Sequence, residues 1–275
     1  MRGQLPVLIS TSLINTPHVE LWPHGLLPAR SNHDARLLAH ARHVLRRKYD
    51  GRYLAAATPA GLRPLLHGWQ REPGIDAAIA ALAEHRAPPA AFASPAPELP
   101  LDRLHRLLDA LGIDDGYGRD TGLPLVAEPA ELAFAGFDRY RRALWLRHGA
   151  ARAWSRMQES ALADDVVLEA ISGYRSHDYQ LGIFQRKLAR GQAVSQILTV
   201  NAAPGYSEHH TGCALDIGTP GEPPAEESFE QTGAFAWLTA HAADHDFRMS
   251  YPRDNPHGIV YEPWHWCWTA GADGA

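Results

Sequence analysis

An aspartate stands in the middle of an apolar run: Asp216 in "CALDIG", residues 213–218. The run reads as a strand, and a carboxylate buried there without a partner is costly, so Asp216 has to be neutralised, paired or given a cation. Whatever this chain folds into must deliver partners to that point. The nearest candidates precede it in "GYSEHHTG" (205–212), where His209 lies seven residues before Asp216. On one continuous strand that spacing puts the two side chains on opposite faces. They converge only if the chain bends between them, and Gly212 supplies the freedom, because glycine tolerates positive φ without penalty. Further on, "YEPWHW" (261–266) carries Glu262 and His265, again of opposite parity. Pro263 between them favours a bulge or an edge position, from which both can be aimed into one cleft. Two imidazoles, a ligating carboxylate and a second, free carboxylate are the parts of a hydrolytic zinc site: three protein ligands, an open position for water and a general base.

The rest of the chain reads as helices first and strands late. "SNHDARLLAHARHVLRRKY" (31–49) is predicted as one helix, with Ser31 as N-cap and Asp34 as the acid of a capping box. Further helices are expected over 74–86 and 99–111, joined by the Pro- and Ala-rich loop "APPAAFASPAPELP". Residues 1–121 thus read as a helical N-terminal region, and 122–275 as a separate domain. Within the latter, "GAARAWSRMQESALAD" forms a helix with Ala150, Ala153, Trp154, Met157 and Leu162 along one side, and "DDVVLEAIS" a strand leading into the turn "GYRSHDYQ". A helix over "QLGIFQRKLARGQ", the strand "CALDIG", an acidic loop, a helix over "TGAFAWLTAHAADH" and a last strand through "WHWCW" follow. The pattern is α+β, with a small antiparallel sheet and flanking helices carrying the zinc site.

Charge and composition narrow the partners. The chain has 26 Lys and Arg against 31 Asp and Glu and no basic block, which argues against nucleic acid or an anionic membrane as partner. Its two cysteines, Cys213 and Cys267, cannot build a disulfide framework and read as buried packing residues. No apolar run reaches the roughly 18–20 residues of a membrane span. The opening "MRGQLPVLISTSLINTPH" reads as a first strand rather than a cleaved leader, so a cytoplasmic location is expected over a periplasmic one.

Taken together, Ser207, His209, Gly212, Ala214 and Asp216 make the constellation S-x-H-x-x-G-x-A-x-D, preceded by "SGYRSHDYQ" and followed by "YEPWHW". Over roughly residues 125 to 270 the chain resembles the VanY-type D-alanyl-D-alanine carboxypeptidases of the LAS zinc metallopeptidases. The resemblance implies Zn2+ on His209, Asp216 and His265, Glu262 as catalytic base, and Arg175 as the cation beside the reacting carbonyl. It also implies that Ser207 and Gln180 help hold the substrate's terminal carboxylate. Release of C-terminal D-Ala from peptidoglycan-derived peptides is the implied activity. L,D-carboxypeptidase action in muropeptide recycling is favoured, with D,D action on D-Ala-D-Ala termini as the alternative. A non-catalytic peptidoglycan-binding module is disfavoured, because a structural metal site has no use for a free Glu262. Two departures from the family pattern stand out: His210, where a neutral residue such as Gln is common, and "WHWCW", where Arg-Tyr often follows the last ligand.

Overall fold

The computed structural model describes residues 12–85, 98–114 and 116–270. The chain divides into two compact units, Met1–Ala93 and Ser94–Ala275. The break falls near the Pro- and Ala-rich segment rather than at 121/122. Most of that segment, like the first eleven residues on which the leader reading rests, lies outside the described residues.

The first unit corrects the expectation of a helical N-terminal region. Strands β1 (Ser12–Asn15), β2 (Val19–Pro23), β3 (His43–Arg47), β4 (Tyr53–Thr58) and β5 (Gly61–Pro64) pair in sequence as an antiparallel meander. Helices α1 (Asn32–Leu38) and α2 (Ile75–His85) accompany them. Ser31 caps α1 as expected, accepting from the Asp34 N–H at 3.1 Å. The helix nevertheless ends after seven residues. Val44 and Leu45, assigned by their spacing to the same helix, instead lie in a strand hydrogen-bonded on both sides, by β2 and β4. Pairing with neighbouring strands overrides the helical spacing of a short segment. Leu21, Leu45 and Leu54 are fully buried beneath Ile75, Ala78 and Leu82 of α2.

In the second unit α3 (Asp102–Leu111) and α4 (Gly116–Thr121) precede a hairpin of β6 (Glu131–Phe137) and β7 (Ala143–Leu146), then α5 (His148–Ala163) and β8 (Glu169–Ser172). Next come α6 (His177–Leu188), α7 (Val194–Leu198), β9 (Ala214–Gly218), α8 (Gly233–His241), β10 (Phe247–Met249) and β11 (His265–Trp268). The small antiparallel sheet is present, in the order β10-β11-β9-β8, so the α+β reading holds. Ala150, Ala153, Trp154, Met157 and Ala161 of α5 are buried against Leu215, Trp237, Phe247 and Trp266. Leu162, expected on that side, is exposed, because it sits about 100° around the helix from Ala161. Helix α6 starts three residues earlier than the pattern suggested, since Ser176 caps it by accepting the Tyr179 N–H at 3.1 Å. Helix α3 belongs to this unit: Leu104 and Leu108 pack with Phe184, Ile197 and Tyr206, and Arg103 forks onto the buried Asp178 at 3.0 and 3.2 Å. Among the described residues no helix is long and apolar enough to cross a membrane.

Candidate metal centre

The register of the small sheet puts Asp216 at the centre of the site. On β9 it faces His265, the first residue of β11, on one side, and Ser172 of β8 on the other, across a register shift. His209 arrives from outside the sheet, on a 3-10 turn over Glu208–Thr211 that ends at Gly212 with φ +72°. This is the bend that the spacing of His209 and Asp216 demanded. Besides its positive φ, Gly212 is held by space, for a Cβ there would lie 2.6 Å from Leu132 Cδ2 and 3.2 Å from the Arg147 nitrogen. Glu262 is delivered differently from the expected strand bulge. Residues 262–265 form a turn closed by the His265 N–H on the Glu262 carbonyl at 3.1 Å, with Pro263 inside it. The turn folds Glu262 back so that its Oε2 lies 3.8 Å from His265 Nδ1.

His209, Asp216 and His265 each present one donor atom to a common point, all within 4.8 Å of one another, and all three residues are buried. Asp216 Oδ1 is 3.3 Å from His209 Nε2 and 3.2 Å from His265 Nδ1. Bonds of about 2.0–2.1 Å at tetrahedral angles separate neighbouring donors by roughly 3.3 Å, so two imidazoles and a carboxylate at these spacings fit zinc. The far nitrogens are committed elsewhere. His209 Nδ1 donates to the Gly173 carbonyl at 2.8 Å, leaving Nε2 as its donor atom. His265 Nε2 meets Glu208 Oε2 at 2.9 Å, leaving Nδ1.

Electrostatics follow from this crowding. Burial keeps His209 neutral, its pKa pushed down to about 4, with the Arg175 charge acting the same way. His265 goes the other way: burial opposes its charge, but hydrogen bonds to Asp216 and Glu208 push it up to about 10 in the metal-free protein. Burial works against the charge of Asp216 too, yet the His209, Arg175 and His265 side chains around it hold it well below the usual carboxylate range. Glu262 has only burial to obey for the most part, and rises to about 7. A carboxyl poised near neutrality beside a metal-type donor set is suited to taking and returning a proton.

Arg175, Ser207 and Gln180 line the same cleft of about 280 Å³ as the donor set and Glu262. Arg175 spends part of its fork inside the site, Nε on Ser172 Oγ at 3.0 Å and one terminal nitrogen on Asp216 Oδ2. Gln180 gives one N–H to the Ala202 carbonyl at 2.9 Å, while its Oε1 has no partner among the described residues. Cys213 and Cys267 stay outside the donor set; Cys267 is buried, but Cys213 is partly exposed, where burial was expected. His210 is fully buried in a separate network, Nδ1 donating to the Arg175 carbonyl at 2.6 Å and Nε2 accepting from the Gly205 N–H at 3.0 Å.

Two functional groups escaped sequence reasoning. Glu208 drew no role of its own from the sequence, whereas its carboxylate turns inward onto His265. Glu128, buried, accepts the His177 backbone N–H at 2.8 Å and the Tyr174 hydroxyl at 2.6 Å, pinning the segment that carries Arg175 from both sides. No local pattern marks Glu128. For Glu208 the signal was its adjacency to a ligand, which becomes legible only once β11 is paired with β9.

An α+β unit with a buried His–Asp–His set that could hold a metal ion, and a glutamate outside that set beside it, has the make-up found in metallohydrolase sites. The VanY D-alanyl-D-alanine carboxypeptidase family model matches residues 143–271, and the chain belongs to that family. YodJ of Bacillus subtilis (strain 168), a protein named as a carboxypeptidase, is 33% identical over 156 residues, 54% of this chain and 56% of YodJ. VanXYC of Enterococcus gallinarum, named a bifunctional D-Ala-D-Ala dipeptidase and carboxypeptidase, is 28% identical over 144 residues, 50% of this chain and 73% of the relative. Among solved structures, the LdcB LD-carboxypeptidase is 30% identical over 53% of this chain and 71% of its own, with a TM-score of 0.47. The chain thus spans 56% of the length of YodJ.

Proposed function

We propose that this chain is a zinc-dependent carboxypeptidase that releases C-terminal D-Ala from peptidoglycan-derived peptides, with cytoplasmic L,D-carboxypeptidase action on recycled muropeptides as its role. The observation that carries the reading is the convergence of His209, Asp216 and His265 to within 4.8 Å of one another, with Glu262 on the same edge of His265 as the donor set. Zinc held by those three would supply a Lewis acid and lower the pKa of water beside it. The remaining chemistry belongs to the chain. Glu262 accepts a proton from the attacking water and returns it to the leaving amine. Arg175, fixed by Ser172 and Asp216, turns the rest of its fork toward the reacting carbonyl, where negative charge develops. The Ser207 hydroxyl and the uncommitted N–H of Gln180 receive the terminal carboxylate.

The L,D preference rests on the cleft's edge. Ala225 lines the cleft and is followed by the exposed Glu226 and Glu227, so the acidic segment stands at the mouth. The diaminopimelate arm that precedes the scissile bond of a tetrapeptide carries an ammonium and a carboxylate, and its ammonium complements that edge; the methyl of a D-Ala there does not. Incubation with murein tetrapeptide and pentapeptide in parallel tests this, and faster D-Ala release from the tetrapeptide is expected. Fast cleavage of the pentapeptide with an untouched tetrapeptide refutes the L,D reading. Glu262→Gln should keep zinc and lose turnover by about 10²-fold or more; near-normal release would remove Glu262 from its role.

A further inference from the structure

We propose that Glu208 is a positioning residue for the metal centre, fixing the His265 ring so that Nδ1 is presented to the cation; this rests on the zinc reading of His209, Asp216 and His265. The geometry is specific. Nδ1 and Nε2 lie on different edges of the imidazole, and each meets a different carboxylate: Asp216 Oδ1 at 3.2 Å and Glu208 Oε2 at 2.9 Å. Carboxylates accept and do not donate, so a ring that gives up its Nδ1 proton to bind a cation must keep the one on Nε2. Glu208 is the group that receives it. The result is a ligand ring locked in one tautomer and one orientation by a charge-assisted hydrogen bond, with its basicity toward the metal raised.

Two observations separate this role from a catalytic or substrate-binding one. Glu208 is absent from the residues that line the cleft, whereas Glu262 is among them. Glu262 also approaches the Nδ1 edge of His265, the edge of the donor set, while Glu208 holds Nε2. Glu208 thus holds the His265 ring from the edge away from the donor set. Its place in the chain adds a consequence. It is the neighbour of His209 on the 3-10 turn ending at Gly212, so one turn carries one ligand and the brace of another. A displacement of that turn disturbs both imidazoles together.

The test uses the full chain and four proteins: wild type, Glu208→Ala, Glu208→Gln and Glu208→Asp. Zinc affinity is measured by competition with a chromophoric chelator, and Co2+ is substituted for its visible spectrum, so that neither readout depends on turnover. Removing the carboxylate should weaken zinc binding by roughly 10- to 100-fold, the usual effect of losing such a brace. The Co2+ bands should shift as His265 gains rotational freedom. Glu208→Gln, which can still accept from Nε2 through its carbonyl oxygen, should recover part of the affinity. Far-ultraviolet circular dichroism of the metal-free proteins checks that they remain folded. If Glu208→Ala is not folded, the Gln and Asp variants decide by the same readouts. Wild-type affinity and an unchanged Co2+ spectrum in the folded variants overturn the proposal even if activity falls. A wild-type chain that fails to bind zinc overturns the metal reading itself, which is a distinguishable result.

Discussion

At the scale of single residues the site shows why His210 differs from its neighbour. His209 has one nitrogen free for a cation, whereas both nitrogens of His210 are spoken for, one donating to the Arg175 carbonyl and one accepting from the Gly205 N–H. Burial, followed by the neighbouring His177, holds its pKa well below the ordinary histidine value, so the ring is a neutral donor–acceptor pair. A glutamine, the kind of residue that the resemblance leads one to expect at this place, offers the same two functions from one carboxamide. The departure from the family pattern is thus conservative in chemistry. His210→Gln is expected to keep zinc stoichiometry and most stability. His210→Leu leaves a buried N–H and a buried carbonyl unsatisfied, at about 1–3 kcal/mol each, and frees the backbone of Arg175. It should lower the melting temperature and kcat/KM while zinc content stays full. His209→Ala should do the reverse for zinc and abolish binding. Metal analysis and thermal unfolding of the three variants decide whether the two histidines divide the labour this way.

At the scale of elements, the sequence was legible where one residue's physics leaves few choices. The buried Asp216 demanded partners, and the odd spacing from His209 demanded a bend at Gly212; both are found. It was illegible where tertiary pairing decides. "ARHVLRRKY" carries helical spacing, yet His43–Arg47 is a strand because β2 and β4 flank it. The hairpin of β6 and β7 escaped notice for a related reason: its burial is irregular rather than alternating, so period-two reading finds little. Glu262 shows a mixed case. Its convergence with His265 was foreseen, but the means is a closed turn rather than a bulged strand. Helix α3 was assigned to an N-terminal region, yet its Leu104 is nearly inaccessible against the core that includes Ala203 and Tyr206, just before Ser207 and His209. Leu104→Ala in the full chain should therefore cost about 2–5 kcal/mol and raise KM, because the cavity opens beneath the segment that carries the site. Denaturant unfolding and steady-state kinetics measure the two effects. A destabilised variant with unchanged KM would mean that the loop holds its shape without α3.

At the scale of the whole molecule, the site is a charge balance that a metal held by His209, Asp216 and His265 would complete. With zinc bound, Asp216, Glu208 and Glu262 as anions are matched by Arg175 and the dication. Without it, His265 takes up a proton in the metal's place, its pKa raised to about 10, and Glu262, raised to about 7 chiefly by burial, carries a second proton part of the time. His209 contributes nothing to the exchange near neutrality, since its pKa is pushed down to about 4 and it is already neutral. The direction for stability follows. A carboxyl whose folded pKa lies above its unfolded value stabilises the fold at low pH, and that contribution is lost as pH rises through about 7. The metal-free protein should accordingly weaken through Glu262 as pH climbs from about 4.5 to about 7 and lose nothing further through it above that, and zinc should remove that loss. Binding must expel the protons, so zinc affinity rises with pH at a slope equal to the number released. About two protons should leave near pH 6, where Glu262 is mostly protonated, falling toward about one near pH 8, where only His265 still yields one. Isothermal titration with zinc in buffers of different ionisation heat reads this count directly. In Glu262→Gln the count should be about one at both pH values, the remainder coming from His265 alone. A wild-type count that stays near one across the range would detach Glu262 from the site's proton balance, and with it the reason for a buried carboxyl poised near neutrality.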